Sequence, residues 1–392
     1  MEEAYFVLQE RRVSQFLGSV VGSVTAEIFA QAKLLQRQGK SIINLAIGQP
    51  DFLPPNEVLS TASRAILEGN VRYAESKGIY ELRKAVTDYY GLPLDVENEV
   101  VITTGAKMGI FASIWTVCNP GDNVVILDPS WVSYGSIVKS LGCEPRYVET
   151  GPDFVFDEED LIRKIDGRTK AVIVNTPSNP TGQIIGQTQF QRIFELCASN
   201  EILLVSDEIY NEYVFGSKKF TSLGSIKNWK EHGVIVNGFS KTFSMTGFRL
   251  GYTLSNEVIA KEINKVMQLT ASCASPFAQL AGISGLEHID DMRERIQTIM
   301  KPRLKRLIEL DEELEGFKLL PPQGAMYGWF QLDGKVESAK WAQQLLSEKG
   351  VAVTPGIGFG PHGEGWFRVS FATDPRVLEE GLRKIEEFVR GI

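Results

Sequence analysis

Between about residue 100 and 255 the chain alternates short apolar runs with amphipathic stretches. EVVITTG precedes KMGIFASIWTV, NVVILDP precedes SYGSIVKSLG, KAVIVNTP precedes FQRIFELCAS, and EILLVSDE and GVIVNGF follow. Runs rich in β-branched residues and bounded by turn residues read as strands buried on both faces, and the stretches between them carry helical periodicity. Few folds accept this order. It predicts an α/β protein with a mostly parallel central sheet covered by helices, whose ligands bind beyond the C-terminal ends of the strands.

Past residue 256 the pattern changes. Long charged helical stretches, EVIAKEINKVMQL and MRERIQTIMKPRLKRLIELDEEL, lead to GAMYGWFQL, GVAVTP and WFRVSFA. They predict a smaller α+β domain reached through a long helix, with the N-terminal helix SVTAEIFAQAKLLQRQG packed on it. The expected division is 49–285 for the large domain and 1–48 with 286–392 for the small one. At 392 residues and 43% hydrophobic content the chain can fill both cores. Its 41 basic against 49 acidic residues give a net charge of −8, which argues against nucleic acid and for small-molecule partners. MEEAYFVLQERR is no leader, and no apolar run is long enough for a bilayer, so a cytoplasmic place is expected. Cys118, Cys143, Cys197 and Cys273 are scattered, and His232, His288 and His362 lie far apart. Neither a metal site nor a Ser-His-Asp triad is expected.

Distinctive residues follow each strand. Gly105, Ala106 and Lys107 open a helix whose free amides suit a phosphate. Trp131 offers a flat face, the Pro-rich turn NTPSNPTG presents Asn179, and Asp207 ends an apolar strand three residues before Tyr210. Ser240 and Lys241 stand just past GVIVNGF, with Arg249 eight positions beyond the lysine. Singly these are a turn glycine, a core tryptophan and solvated cations. Together they suit an aromatic cation bearing a phosphate and an aldehyde, which describes pyridoxal phosphate. Lys241 would take the aldehyde, Asp207 would keep the pyridine nitrogen protonated, and Ser240, Arg249 and the 105–107 turn would hold the phosphate under a stacked Trp131.

The motifs GQPDF, YAESKG, PSWVSY, NTPSNPTG, VSDEIY, SKTFSMTGFRLGY and FRVSFA resemble, in order and spacing, the class I aminotransferases, pyridoxal-phosphate enzymes of fold type I. The resemblance runs from about residue 20 to the C-terminus. It implies that Lys241 is the Schiff-base lysine and general base, that Asp207 partners the pyridine nitrogen, and that Asn179 and Tyr210 bond the ring oxygen. It implies further that Tyr73 reaches the phosphate of a neighbouring subunit in a homodimer with shared sites. Arg368 would bind the substrate α-carboxylate, and Gly48 would lie beside it; amino acids and 2-oxo acids would be the partners.

Lys107 sits at a helix start, where a cation opposes the helix dipole at a cost of a few tenths to about 1 kcal/mol. It matches the position where the bacterial and archaeal aspartate aminotransferase branch carries a lysine for the distal carboxylate, and Ser23 and Thr25 match hydroxyls serving the same group. Aspartate and 2-oxoglutarate are the implied substrates. The loop FSKTFSMTGFR and the residues Met108 and Gly109 depart from that branch, which keeps alanine, aromatic amino acids and prephenate open. The same scaffold also admits a carbon–sulfur lyase. A DNA-binding regulator is disfavoured by the short acidic N-terminal extension.

Overall fold

The computed structural model describes residues 24–391 together with Gly18, Val20 and Gly22; of Val24, Thr25 and Ala26 it describes the backbone alone. Helix α1 (Val24–Arg37) leads through strand β1 (Ile43–Asn44) to helices α2 (Asn56–Leu67) and α3 (Tyr80–Tyr90). The alternating region then supplies β2 (Val100–Thr103), α4 (Ala106–Val117), β3 (Asn123–Asp128), α5 (Tyr134–Ser140), β4 (Glu144–Glu149), α6 (Glu158–Lys164), β5 (Thr169–Asn175), α7 (Gln187–Ser199), β6 (Leu203–Asp207), β7 (Gly233–Gly238) and β8 (Gly251–Leu254). Helices α8 (Glu257–Thr270), α9 (Pro276–Glu287) and α10 (Ile289–Glu313) follow, then β9 (Phe317–Leu320), β10 (Tyr327–Leu332), α11 (Ser338–Lys349), β11 (Val351–Ala352), β12 (Thr354–Pro355), β13 (Trp366–Ser370) and α12 (Pro375–Arg390).

The alternating region forms a seven-stranded sheet in the order β2-β8-β7-β6-β5-β3-β4, parallel throughout except for β8, which runs antiparallel to β2 and β7. Successive strand residues point to opposite faces, and both faces are buried. Val125, Leu127, Val172, Val174 and Leu204 join Leu82 of α3 and Phe190 and Ile193 of α7 in one core. Val124, Ile126, Ile173 and Val205 pack with Ile110 of α4 and Ile263 of α8 on the other. That two-sided burial is why these strands read as unbroken apolar runs rather than alternating ones.

A four-stranded antiparallel sheet, β12-β13-β10-β9, carries a further core with α10, α11 and α12, in which Ile296, Leu307, Phe330, Trp341, Phe367 and Leu382 interlock. The N-terminal helix packs where expected: Ile28 and Ala32 of α1 meet Leu346 and Ala352. The charged stretch after residue 256 divides into three helices, with non-helical residues at 271–275 and at His288.

One glycine fixes where the sheet delivers the phosphate-type turn. On the edge of β8, a Cβ at Gly251 would lie 2.5 Å from the Ala106 amide nitrogen and 2.6 Å from the Gly105 carbonyl carbon. The bare backbone therefore lets the start of α4 settle onto β8. Gly251→Ala is expected to lower stability by about 1–3 kcal/mol through overpacking, measured by denaturant unfolding. A change indistinguishable from zero would mean that the turn does not depend on this contact.

Candidate active site

A cavity of about 450 Å³ lies at the C-terminal ends of β5, β6 and β7 and is closed on its other side by residues of the four-stranded sheet. Gly48, Ala106, Lys107, Trp131, Asn179, Asp207, Tyr210, Ser240, Lys241, Arg249 and Arg368 all line it, so residues spread over more than three hundred positions of sequence converge. Gly105 does not line it but stands immediately behind: its φ of +86° suits glycine, and a Cβ there would meet Arg249 Nη2 at 2.7 Å. Tyr73 is 89% exposed and lies outside the cavity of its own chain. Ser23 lies outside the described residues, and Thr25 is placed on α1 without a described side chain.

The charge of the lining is lopsided. Lys107, Lys241, Arg249 and Arg368 face one carboxylate, Asp207, in a protein whose net charge is −8. Among the described residues no carboxylate pairs with any of these four cations, although surface lysines and arginines elsewhere are widely paired. A cavity of this kind recruits anions.

Burial sets the titration of the two central groups. Lys241 is pushed down to about 8, by burial first and then by Arg368 and Arg249, with Asp207 opposing; its amine donates to the Gly48 carbonyl and lies 5.8 Å from the Tyr210 ring centre. Asp207 is pushed up to about 6 by burial, while the Tyr134 hydroxyl, donating at 2.6 Å, and the Ile209 amide, donating at 3.2 Å, pull it back. Desolvation thus dominates both shifts: hydrogen bonds and Lys241 moderate it at Asp207, whereas at Lys241 the two arginines add to it and only Asp207 opposes.

Arg368, 2% exposed, is gripped from several elements. Its Nη1 donates to Asn179 Oδ1 at 2.8 Å, and its Nη2 donates to the Ala46 carbonyl at 2.6 Å and to Thr354 Oγ1 at 3.3 Å. The guanidinium carbon stands 4.2 Å from the Tyr327 ring centre and 4.9 Å from that of Phe359, while Nε is buried without a hydrogen-bond partner. Arg249, in left-handed conformation with φ of +54°, donates from Nη1 to the Thr246 carbonyl at 2.9 Å and sets Nη2 against the Gly105 turn. Lys107 places its ammonium 4.8 Å from the Trp131 ring centre; partial burial and then the Arg249 charge hold it below the ordinary lysine range.

Three residues were not singled out from sequence. Tyr134 sits three positions after Trp131 in the same PSWVSY motif, and a buried Asp207 requiring a donor was the signal that could have found it. Tyr327, in GAMYGWF, pairs its hydroxyl with that of Tyr210 at 2.6 Å and abuts Gly48. Phe359 comes from the loop between β12 and β13, and no local pattern marks it.

Comparison with known proteins gives a consistent family. Residues 40–385 match the model for aminotransferase class I and II. The chain is 35% identical over 384 residues to an aspartate aminotransferase of Thermotoga maritima, covering 97% of this chain and 100% of that protein. It is 33% identical over 370 residues to the (5-formylfuran-3-yl)methyl phosphate transaminase of Methanocaldococcus jannaschii, covering 93% and 95%. Among solved structures, an aspartate aminotransferase of Thermus thermophilus with maleate superimposes with a TM-score of 0.90 at 33% identity, covering 96% of this chain and 99% of that one.

The titration of Lys241 can be tested without knowing the substrate. Only the neutral amine attacks an aldehyde, so condensation of the chain with a chromophoric aromatic aldehyde is expected to rise with pH through a midpoint of about 8. An ordinary lysine has its midpoint near 10.4, making Lys241 roughly two orders of magnitude richer in free base at neutral pH. Stopped-flow absorbance across pH 6–11, with Lys241→Ala as the control, checks this; a midpoint near the ordinary lysine value would contradict it.

Proposed function

Because the chain belongs to the class I and II aminotransferases, its reaction is amino-group transfer, and we propose that it runs between L-aspartate and 2-oxoglutarate with pyridoxal 5′-phosphate as resident cofactor. The observation that carries the aspartate reading is the pair of cations left over once a phosphate is served: Arg368, buried without a carboxylate, and Lys107, held against Trp131 without one. Two such groups suit a substrate with two carboxylates.

The residues fit the cofactor. Arg249, Ser240 and the Gly105–Ala106 turn make an anion cradle at the N-terminus of α4. Asp207, a carboxyl raised by burial, would be lowered again by a cationic ring N–H set against it. Trp131 has a face turned to the cavity, and Tyr210 and Asn179 bring polar atoms for the ring oxygen. When bound, pyridoxal phosphate supplies an aldehyde that takes the amino group and a ring that accepts the electron pair left by Cα deprotonation.

The chain's own residues do the rest. Arg368 receives the α-carboxylate in a planar, two-point contact that a lysine could not offer. Lys241 Nζ, partly free base at neutral pH, takes the Cα proton of the donor and, in the second half-reaction, gives one to the Cα of the new amino acid. Asp207 keeps the ring nitrogen protonated, and Tyr210 donates to the ring oxygen. Lys107 holds the distal carboxylate, with Ser23 and Thr25 proposed as its partners.

We further propose that residues 49–285 form the cofactor-holding domain and that 1–48 with 286–392 form a smaller domain closing over the substrate. The exposure of Tyr73, beside exposed Leu67 and Val71, supports a homodimer in which that tyrosine completes the site of a second copy. No helix among the described residues is long and apolar enough to cross a membrane, and a cytoplasmic enzyme is the reading that agrees best with the acidic composition.

Lys107→Ala tests the substrate. Loss of a hydrogen bond to a charged group is expected to lower kcat/KM for aspartate by about ten- to a hundredfold while leaving alanine within about a factor of two. Equal loss for both donors would move Lys107 out of substrate recognition.

A further inference from the structure

The two sheets each supply half of the cavity. Lys241, Asp207 and Trp131 come from the seven-stranded sheet and its loops, and Tyr327 and Arg368 from the four-stranded one. An amino acid bound between them depends on how the halves are held together, and the seam carries a contact that the reaction does not use.

Asp128, the last residue of β3, is fully buried. Its Oδ2 accepts from the backbone amide of His362 at 3.1 Å and faces the His362 ring at Nδ1, 3.0 Å away. Two residues along, the Ser130 amide donates to the Phe359 carbonyl at 2.8 Å. The loop crosses the carboxylate so closely that a Cβ on Gly360 would overlap Asp128 Oδ1, and the φ of +116° at Gly360 is itself a glycine conformation. Burial pushes the Asp128 carboxyl up to about 6, and the His362 amide and ring pull it down. A buried carboxylate needs such donors to be tolerated at all.

What this contact holds in place is Phe359. That ring is buried, meets Trp329 edge-on with ring centres 5.4 Å apart, and has its centre 4.9 Å from the Arg368 guanidinium carbon, which also lies 4.2 Å from the centre of Tyr327. On the other side of the seam, Asp128 lies three residues before Trp131. One carboxylate thus anchors both the wall bearing Trp131 and the loop bearing Phe359.

We propose that Asp128 and His362 are positioning residues for amino-acid binding: they clasp the 356–363 loop to the end of β3 so that Phe359 keeps the Arg368 guanidinium turned into the cavity. The inference rests on the reading of Arg368 as the α-carboxylate site. His362 does not line the cavity. Its effect is therefore on affinity, through Arg368, and not on the proton transfer at Lys241.

Steady-state kinetics of the pyridoxal-phosphate-loaded enzyme with L-aspartate, run on His362→Ala, His362→Asn, Asp128→Asn and Arg368→Ala, decide the matter. His362→Ala and Asp128→Asn are expected to raise KM for aspartate about tenfold, the loss of one hydrogen bond to a charged group, with kcat within about a factor of two and an unchanged visible cofactor band. His362→Asn, which restores a side-chain N–H at similar reach, is expected to recover most of the affinity. Unchanged KM in His362→Ala, or a rise in KM matched by falls in kcat and cofactor retention without rescue by asparagine, would overturn the clasp. If Arg368→Ala raises KM steeply while the His362 variants do not, the clasp alone fails. If Arg368→Ala leaves KM unchanged, the carboxylate reading falls and takes the clasp with it.

Discussion

A guanidinium buried without a carboxylate is the constraint around which this molecule is organised. Removing an ion from water costs several kcal/mol even after relaxation, and Arg368 offsets that cost with neutral partners: an amide oxygen of Asn179, the Ala46 carbonyl, the Thr354 hydroxyl and two aromatic faces. Those partners come from the loop after β5, the segment after β1, β12, β10 and the β12–β13 loop. The anion site therefore exists only when the two sheets are closed on each other. In the function proposed above, a substrate carboxylate is the group that turns this expensive arrangement into a favourable one.

The same low-polarity setting brings Lys241 and Asp207 toward each other in pKa, to about 8 and about 6. Neither shift arises mainly from their mutual attraction, which acts to keep both charged; desolvation dominates each. An amine that is partly free base and a carboxyl that is easily held ionised by a cation are what proton abstraction beside a protonated ring requires near neutral pH. Four cations around one carboxylate then make the empty space attractive to phosphate and carboxylate alike.

Much of this was legible in the sequence because local rules applied. Strands buried on both faces announce themselves as apolar runs, and the residues just past them, Asn179, Asp207 and Lys241, had to meet at one sheet edge. Tyr134 and Tyr327 were less visible, since a tyrosine in an apolar strand or helix start reads as core until the hydroxyl partners, Asp207 and Tyr210, are known. Phe359 and the Asp128–His362 contact were invisible for a different reason. They join residues 234 positions apart across a seam, and no periodicity or turn signal encodes such a pairing. Lys107 stands between these cases, marked by its awkward place at a helix N-terminus and explained only by the Trp131 face beside it.

The most direct test of the central claim is the absorption spectrum of the protein loaded with pyridoxal phosphate and freed of excess cofactor, recorded before and after adding L-aspartate with no 2-oxo acid present. The visible band is expected to give way to the near-ultraviolet absorption of the aminated cofactor, with one oxaloacetate released per site. A band that forms normally but stays unchanged with aspartate, while alanine or an aromatic amino acid converts it, would contradict the dicarboxylate reading.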